Sequence, residues 1–262
     1  MKESRAKFSI SERRSVLKVL GVGATLALPG WALGENSLWA PEELPVTPQQ
    51  TEGPFYPAKT IEQQLFNDTD LSQKIAGHEF AKGQRAVVEG VIKDRAGRPL
   101  RNSVVEVWQA CATGRYNHKR DAGNVSLLDN NFQFWGRSVT GEDGRYSFTS
   151  IIPGKYPGRT GRHIHYRVDS EGQKRCSTQC YFSDFGEDNM RDGIYRSLTK
   201  EERNLVTVEF DKSITSATAG AKSPADNRRG GSGAGAGDRR SIAKAVVSPV
   251  PWKGQFDIVL AK

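Results

Sequence analysis

From residue 86 onward the chain is a series of short runs dense in β-branched and aromatic residues, set between turn-forming clusters, and this punctuation restricts it to stacked sheets. Ala86-Val87-Val88-Glu89-Gly90-Val91-Ile92 reads as a strand, Asp94-Arg95-Ala96-Gly97-Arg98-Pro99 as a turn, and residues 103–110 as a second strand whose side chains alternate between faces. Glu142-Asp143-Gly144 marks a hairpin turn into Arg145-Tyr146-Ser147-Phe148. Further strands are predicted over 163–168, 178–182, 205–210 and 256–260. A lone sheet of such strands would leave an apolar face in water, so the expectation is an all-β chain folded as a β-sandwich with little helix.

The flanking segments differ in kind. Residues 1–34 read as a twin-arginine signal peptide: Ser11-Glu12-Arg13-Arg14-Ser15-Val16-Leu17-Lys18 precedes a modest apolar stretch over 19–33, with cleavage expected between residues 27 and 36 around Ala32-Leu33-Gly34. The expected location is therefore periplasmic or extracellular, with no stable membrane anchor after cleavage, because the stretch is short and broken by Gly and Pro. Residues 35–85 read as an N-terminal arm, extended through Thr51-Glu52-Gly53-Pro54-Phe55-Tyr56-Pro57, with one short helix expected within 58–80. Residues 86–262 form the sandwich domain, interrupted at about 213–244 by a run of Ser, Ala, Gly and basic residues that is expected to be a flexible insertion.

The net charge of +8 invites a nucleic-acid partner until it is located along the chain. Residues 1–34 carry six Lys/Arg against two Glu, and residues 212–245 carry seven against two Asp, so the rest of the protein stands near neutrality at −1. Nucleic-acid binding loses its electrostatic support.

His163-Ile164-His165 occupies alternate positions of a predicted strand, which puts both imidazoles on one face within reach of a single metal ion. Imidazole suits zinc, copper, iron or nickel, so the pair alone does not name the ion. Two tyrosines narrow the choice. Gly114-Arg115-Tyr116-Asn117-His118-Lys119 follows the second strand, and Pro153-Gly154-Lys155-Tyr156-Pro157-Gly158-Arg159 closely precedes the histidines. A phenol that holds its proton up to about pH 10 becomes a ligand only when a strong Lewis acid displaces that proton, and ferric iron does this well. Two tyrosinates and two neutral imidazoles would leave Fe(III) with one net positive charge and open positions, a site suited to an anionic, bidentate ligand.

With these residues in place the chain resembles the intradiol ring-cleavage dioxygenases, and within that family it is most similar to the protocatechuate 3,4-dioxygenase chains. The likeness runs from Thr47-Pro48-Gln49-Gln50 through Val107-Trp108-Gln109-Ala110, the two tyrosine turns and the histidine pair to Gln179-Cys180-Tyr181-Phe182. The resemblance implies Fe(3+) held by Tyr116, Tyr156, His163 and His165, with Tyr156 the tyrosinate displaced by an incoming catechol. It implies a catecholic, protocatechuate-like substrate that reacts with O2 to give a muconate-type diacid, and a homo-oligomer. Gln179 falls at the family's active-site glutamine, and Gly53, Pro54 and Tyr56 match an arm that lines the substrate pocket. The family's arginine stands three residues before the first histidine, where this chain has Thr160, so Arg159 and Arg162 are both candidates for the catalytic arginine.

A second resemblance is to prealbumin-like and immunoglobulin-like sandwiches that bind carbohydrate or protein without catalysis; in that reading Tyr156 merely closes a hairpin. It leaves Tyr116, the histidine pair and Gln179 unexplained. Trp108 and Trp135 are expected in the core, and His78 and His118 are expected to be exposed and non-ligating. Cys111, Cys176 and Cys180 are expected to be buried or half-buried free thiols, because two cysteines four apart on one strand lie beyond disulfide reach.

Overall fold

A computed structural model describes residues 42–57, 65–213 and 251–261. Ten strands run in chain order: β1 (Arg85–Asp94), β2 (Val104–Trp108), β3 (Trp135–Val139), β4 (Arg145–Ile151), β5 (His163–Ser170), β6 (Gln173–Phe182), β7 (Thr207–Val208), β8 (Phe210–Asp211), β9 (Trp252–Gln255) and β10 (Ile258–Leu260). They form two five-stranded sheets. In the first, β4 pairs antiparallel along one edge of β1, β9 and β10 share its other edge in parallel, and β8 closes the sheet against β9. In the second the order is β3-β2-β5-β6-β7. The architecture is the expected β-sandwich.

The core between the sheets comes from alternation. Ala86, Val88 and Ile92 of β1 and Tyr146 and Phe148 of β4 face Val105 and Val107 of β2, Ile164, Tyr166 and Val168 of β5, and Cys176 and Cys180 of β6. Full burial of each large apolar side chain contributes about 1.5–3 kcal/mol. All three cysteines are free and buried, as expected.

The second sheet's other face carries the functional side chains. Its register sets Trp108, His165 and Gln179 in one row across β2, β5 and β6, with His163 beside Tyr181 in the next row. This face would be half in water but for the arm, which runs first along β10 of the first sheet and then, over residues 49–56, across this face. Thr47 exchanges hydrogen bonds with Val259, Gln50 N donates to the Ser177 carbonyl (2.7 Å), and Ser177 N donates to Gln49 Oε1 (3.0 Å). Further along, Tyr56 Oη donates to the nearly buried Glu106 (2.6 Å) while its ring meets Trp108 edge-on.

Several boundaries depart from the sequence reading. Residues 205–206 are helical, not strand: Thr199 caps α3 (Lys200–Val206) in a reciprocal capping box with Glu202, and this local signal outweighs the β-branched residues that follow. Two shorter helices precede it, α1 (Gly186–Arg191) and α2 (Gly193–Ser197). The histidine strand runs on to Ser170 and pairs with a β6 that starts at Gln173. The turn between them is Glu171-Gly172, both at positive φ, a hairpin geometry the reading passed over. Strands β3 and β9 were not predicted. From Phe66 to Gln84 the chain makes turns and one parallel bridge, Asp70 to Thr149. The rest of the expected helix over 58–80, the twin-arginine segment and nearly all of the insertion lie outside the described residues.

Candidate metal centre

His163 and His165 point away from the core, as their spacing requires, with ring centroids 4.8 Å apart. Both are buried. His163 Nδ1 lies 2.6 Å from the Gly161 carbonyl, which can only accept, so Nδ1 carries the proton and the Nε2 lone pair is left for another partner. That lone pair faces the Tyr156 hydroxyl at 3.3 Å. His165 lies flat on Trp108, centroids 4.8 Å and planes 4° apart. On its other side Gly53 sits at φ +68°, and a β-carbon there would stand 3.5 Å from His165 Cε1. The arm's glycine therefore fits both a left-handed turn and a close approach to the imidazole. Trp108 is a core residue, as expected, and also a wall of this cluster; Trp135 is only half-buried.

The two tyrosines are brought together by their glycine turns. The Cys111 carbonyl accepts from both Gly114 N (2.9 Å) and Gly154 N (3.0 Å), locking one turn against the other. Tyr116 is then fixed by its own N–H, which donates to the buried Asp121 carboxylate (2.7 Å) at the turn that His118 caps. His118, expected to be exposed, is half-buried, with its ring edge-on to Phe55 at 5.8 Å. The Tyr116 and Tyr156 rings meet at 5.3 Å and 84°, with Phe55 of the arm stacked on Tyr116 at 4.5 Å. Tyr116 Oη is buried and lacks a hydrogen bond of good geometry, the Tyr156 hydroxyl standing beside it as a weak partner. Such a poorly satisfied hydroxyl costs up to about 1–3 kcal/mol unless something occupies it.

The two candidate arginines part company. Arg159 reaches the cluster: its Nε donates to Asp192 (2.7 Å) and its Nη2 to Gln179 Oε1 (2.7 Å) and Tyr181 Oη (3.0 Å). Arg162 turns the other way, donating to the Pro153 carbonyl and lying over Phe185. Gln179 is fully buried, and the arm holds it: its Nε2 donates to the Thr51 carbonyl (3.0 Å) and its backbone N–H to Gln50 Oε1 (2.8 Å). Of the three arm residues singled out in the sequence, Gly53 lies against His165, whereas Tyr56 acts as an anchor to Glu106 and Pro54 is exposed between them. Phe55, Tyr181 and Asp192 carry more of the arrangement than the sequence suggested. Asp192 had a readable signal, since an Asp ahead of a short apolar run is a helix N-cap.

Burial governs the electrostatics. It holds the Tyr116 phenol well above its ordinary value, with the neighbouring Tyr156 adding to the effect. Tyr156 is raised by burial too, against an opposing pull from the Arg159 charge. Burial, then the Arg159 charge, brings His163 down to about 3; burial, then the neighbouring His163 and after it Arg159, drives His165 well below its usual range. At neutral pH the cluster is thus two protonated phenols and two neutral imidazoles. Because the histidines take up protons more readily when unfolded, their contribution to stability is complete above about pH 6.5 and declines as pH falls toward 3. Each contributes up to ~1.4 kcal/mol of destabilisation per pH unit in that window. Thermal unfolding of the metal-free protein should show this loss, and His163→Gln should flatten it; an unchanged slope would contradict the assignment.

Among the described residues no three His, Cys, Asp or Glu side chains come together, so the oxygen donors at hand for the histidine pair are the two phenols. A family model described as Dioxygenase matches residues 51–223. The chain is 42% identical over 123 residues to the protocatechuate 3,4-dioxygenase beta chain of Burkholderia cepacia, covering 44% of this chain and 52% of that one. It is 30% identical over 150 residues to a catechol 1,2-dioxygenase of Acinetobacter baylyi, covering 51% and 45%. The chain therefore spans about half the length of these two relatives. Over 171 residues it is 29% identical to the protocatechuate 3,4-dioxygenase alpha chain of Pseudomonas putida, covering 62% of this chain and 82% of that one. In fold it is similar to the dioxygenase domain of a dioxygenase carbohydrate-binding protein fusion from Streptomyces sp. SirexAA-E, with a TM-score of 0.52, 24% identity, and 82% and 98% of the two chains covered.

Proposed function

The chain belongs to the intradiol ring-cleavage dioxygenase family, and from that premise we propose that it binds ferric iron and inserts O2 between the two hydroxyl-bearing carbons of a catecholic ring, giving a cis,cis-muconate-type diacid. The observation that carries the proposal is the convergence of Tyr156 and His163 with the poorly satisfied Tyr116 hydroxyl and the His165 ring. These donors fit the ion. The His163 tautomer leaves Nε2 available, the buried imidazoles stay neutral, and phenols of raised pKa give up their protons only to a strong Lewis acid such as Fe(III).

Tyr116, Tyr156, His163 and His165 would hold the iron, which when bound supplies Lewis acidity and charge stabilisation for the catecholate. The rest falls to the chain. Tyr156, which would have given up its phenol proton on binding the metal, would be placed as a tyrosinate to take up a proton from an arriving catechol hydroxyl. Arg159 sets a positive charge beside Tyr156 and Gln179, where negative charge on the ring would be stabilised. Gly53 packs on one side of His165 and Trp108 on the other, and Phe55 stacks on Tyr116, so these residues hold the cluster's rings in place.

Relatives named for protocatechuate and for catechol share this chain's sequence, so a catechol is the common part of the proposed substrate and a protocatechuate-like ring the finer reading. Export by the Arg13-Arg14 segment and assembly as a homo-oligomer are further parts of the proposal. The non-catalytic sandwich reading gives no reason for a buried, poorly satisfied phenol beside two neutral histidines. An oxygen electrode and a panel of catechols test the function: one O2 consumed per ring with diacid formed is expected, and no uptake on any catechol by iron-loaded protein would overturn it. At fixed free Fe(3+) activity, iron uptake should release one proton from each tyrosine, so affinity should rise by about two decades per pH unit around neutrality. A pH-independent affinity would count against tyrosinate ligation.

A further inference from the structure

The helical segment after β6 has no part in the sandwich core described above, yet one of its side chains reaches the cluster. Asp192 is fully buried between α1 and α2, and its two carboxylate oxygens do different work. Oδ1 caps α2, accepting from Ile194 N (3.1 Å) and Tyr195 N (3.2 Å). Oδ2 turns toward the cluster and accepts from Arg159 Nε (2.7 Å) and from Gly161 N (3.1 Å). Gly161 is the residue whose carbonyl sets the His163 tautomer.

We infer that Asp192 is a positioning residue for the ring-cleavage reaction, holding the Arg159 guanidinium against Gln179 beside Tyr156 through its Oδ2; the inference rests on the function proposed above. Arg159 hangs from the turn that follows Tyr156, where only its own backbone N–H ties it to the Tyr156 carbonyl (3.0 Å). Three side-chain partners fix the guanidinium: Asp192, Gln179 and Tyr181. Gln179 and Tyr181 are neutral and hydrogen-bond to each other, so they form a pair without the arginine (2.9 Å). Asp192 is the one anion among the three, and its bond to Nε sets the plane of the guanidinium. Gly161 meets the same oxygen, and a β-carbon there would stand 3.0 Å from Asp192 Cβ, so the turn leading into His163 is packed directly on this carboxylate. The residue ties the arginine, the His163 turn and a helix start into one unit.

Asp192→Asn keeps the helix cap, because asparagine caps as well as aspartate does, but sets an amide NH2 where Oδ2 accepted from Arg159 and Gly161, so the arginine contact is isolated by comparison with the Arg159→Met background. The iron-loaded variant should keep its fold and lose about 30- to 100-fold in kcat, with a much smaller change in KM, as expected when a charge near the reacting atoms drifts by about an ångström. In metal-free wild type, nitrogen-15 spectra of arginine side chains should show a slowly exchanging Arg159 Nε–H, identified by its absence in Arg159→Lys and lost in Asp192→Asn. The double variant with Arg159→Met buries no unpaired charge, and in that background Asp192→Asn should lower kcat no further. A protected Nε–H in Asp192→Asn, an unchanged kcat with the resonance lost, or an equal loss of kcat in the Arg159→Met background would each overturn the inference. If wild type cleaves no catechol, the functional reading fails, and the resonance still decides whether Asp192 holds Arg159.

Discussion

Gly114→Ala is expected to destabilise the protein by at least about 3 kcal/mol and to abolish iron retention, the largest stability effect anticipated for a change of one methyl group. Gly114 sits at φ +81°, and a β-carbon there would overlap the Lys155 carbonyl oxygen. The converse holds at Gly154, whose β-carbon would collide with Gly114 N and the Ala112 carbonyl. This back-to-back contact is where the turn of Tyr116 meets the turn of Tyr156, and relieving it moves one phenol away from the other. Gly158→Ala supplies a matched control: φ is +83° but nothing stands within 4 Å of the added carbon, so only the left-handed strain of about 1 kcal/mol applies. Thermal unfolding and iron content of the two variants provide the comparison. Equal losses at Gly114 and Gly158 would show that the turns are not locked together.

Tyr116→Phe is expected to reduce oxygen uptake by about a thousandfold or more while leaving the metal-free protein as stable as wild type or up to ~1–2 kcal/mol more stable. The two halves of this prediction come from one atom. The Tyr116 hydroxyl is buried without a hydrogen bond of good geometry, so packing alone favours its removal. As an iron ligand it would be indispensable, and His165→Ala should likewise cost both iron and activity. A Tyr116→Phe protein that kept its iron and turned over normally would remove Tyr116 from the site. One that was strongly destabilised without metal would mean that the hydroxyl has a structural partner.

How much of this could be read from residues depends on the range of the forces involved. The histidine strand was legible because an i, i+2 pair must share a face, and the sandwich because alternation repeats along β1, β2 and β4. The metal-ligand candidates stood out by residue type next to glycine turns, but what brings those turns together, the Cys111 carbonyl shared by Gly114 and Gly154, joins residues about forty apart and has no local signature. The same limit applies to the arginine. Arg159 and Arg162 both lie in the loop before His163, and what separates them is a set of buried partners distant in sequence, Asp192 at the cap of α2 and Gln179 and Tyr181 on β6. Tyr56 is expected at the pocket because it matches the family's arm, and the bond of its hydroxyl to Glu106 on β2 has no local signature. The last two residues of α3, 205–206, read as strand even though Thr199-Lys200-Glu201-Glu202 carries a capping box, because the β-branched residues after them dominate the window.

The central claim, ferric iron on two tyrosinates beside two histidines, is tested most directly by the visible spectrum of protein loaded with Fe(III). One iron per chain is expected, with a strong tyrosinate-to-iron charge-transfer absorption that colours the protein burgundy, changes when a catechol is added under nitrogen, and is weakened or lost in Tyr116→Phe. A colourless protein with iron bound, or a coloured one whose spectrum Tyr116→Phe leaves unchanged, would contradict it.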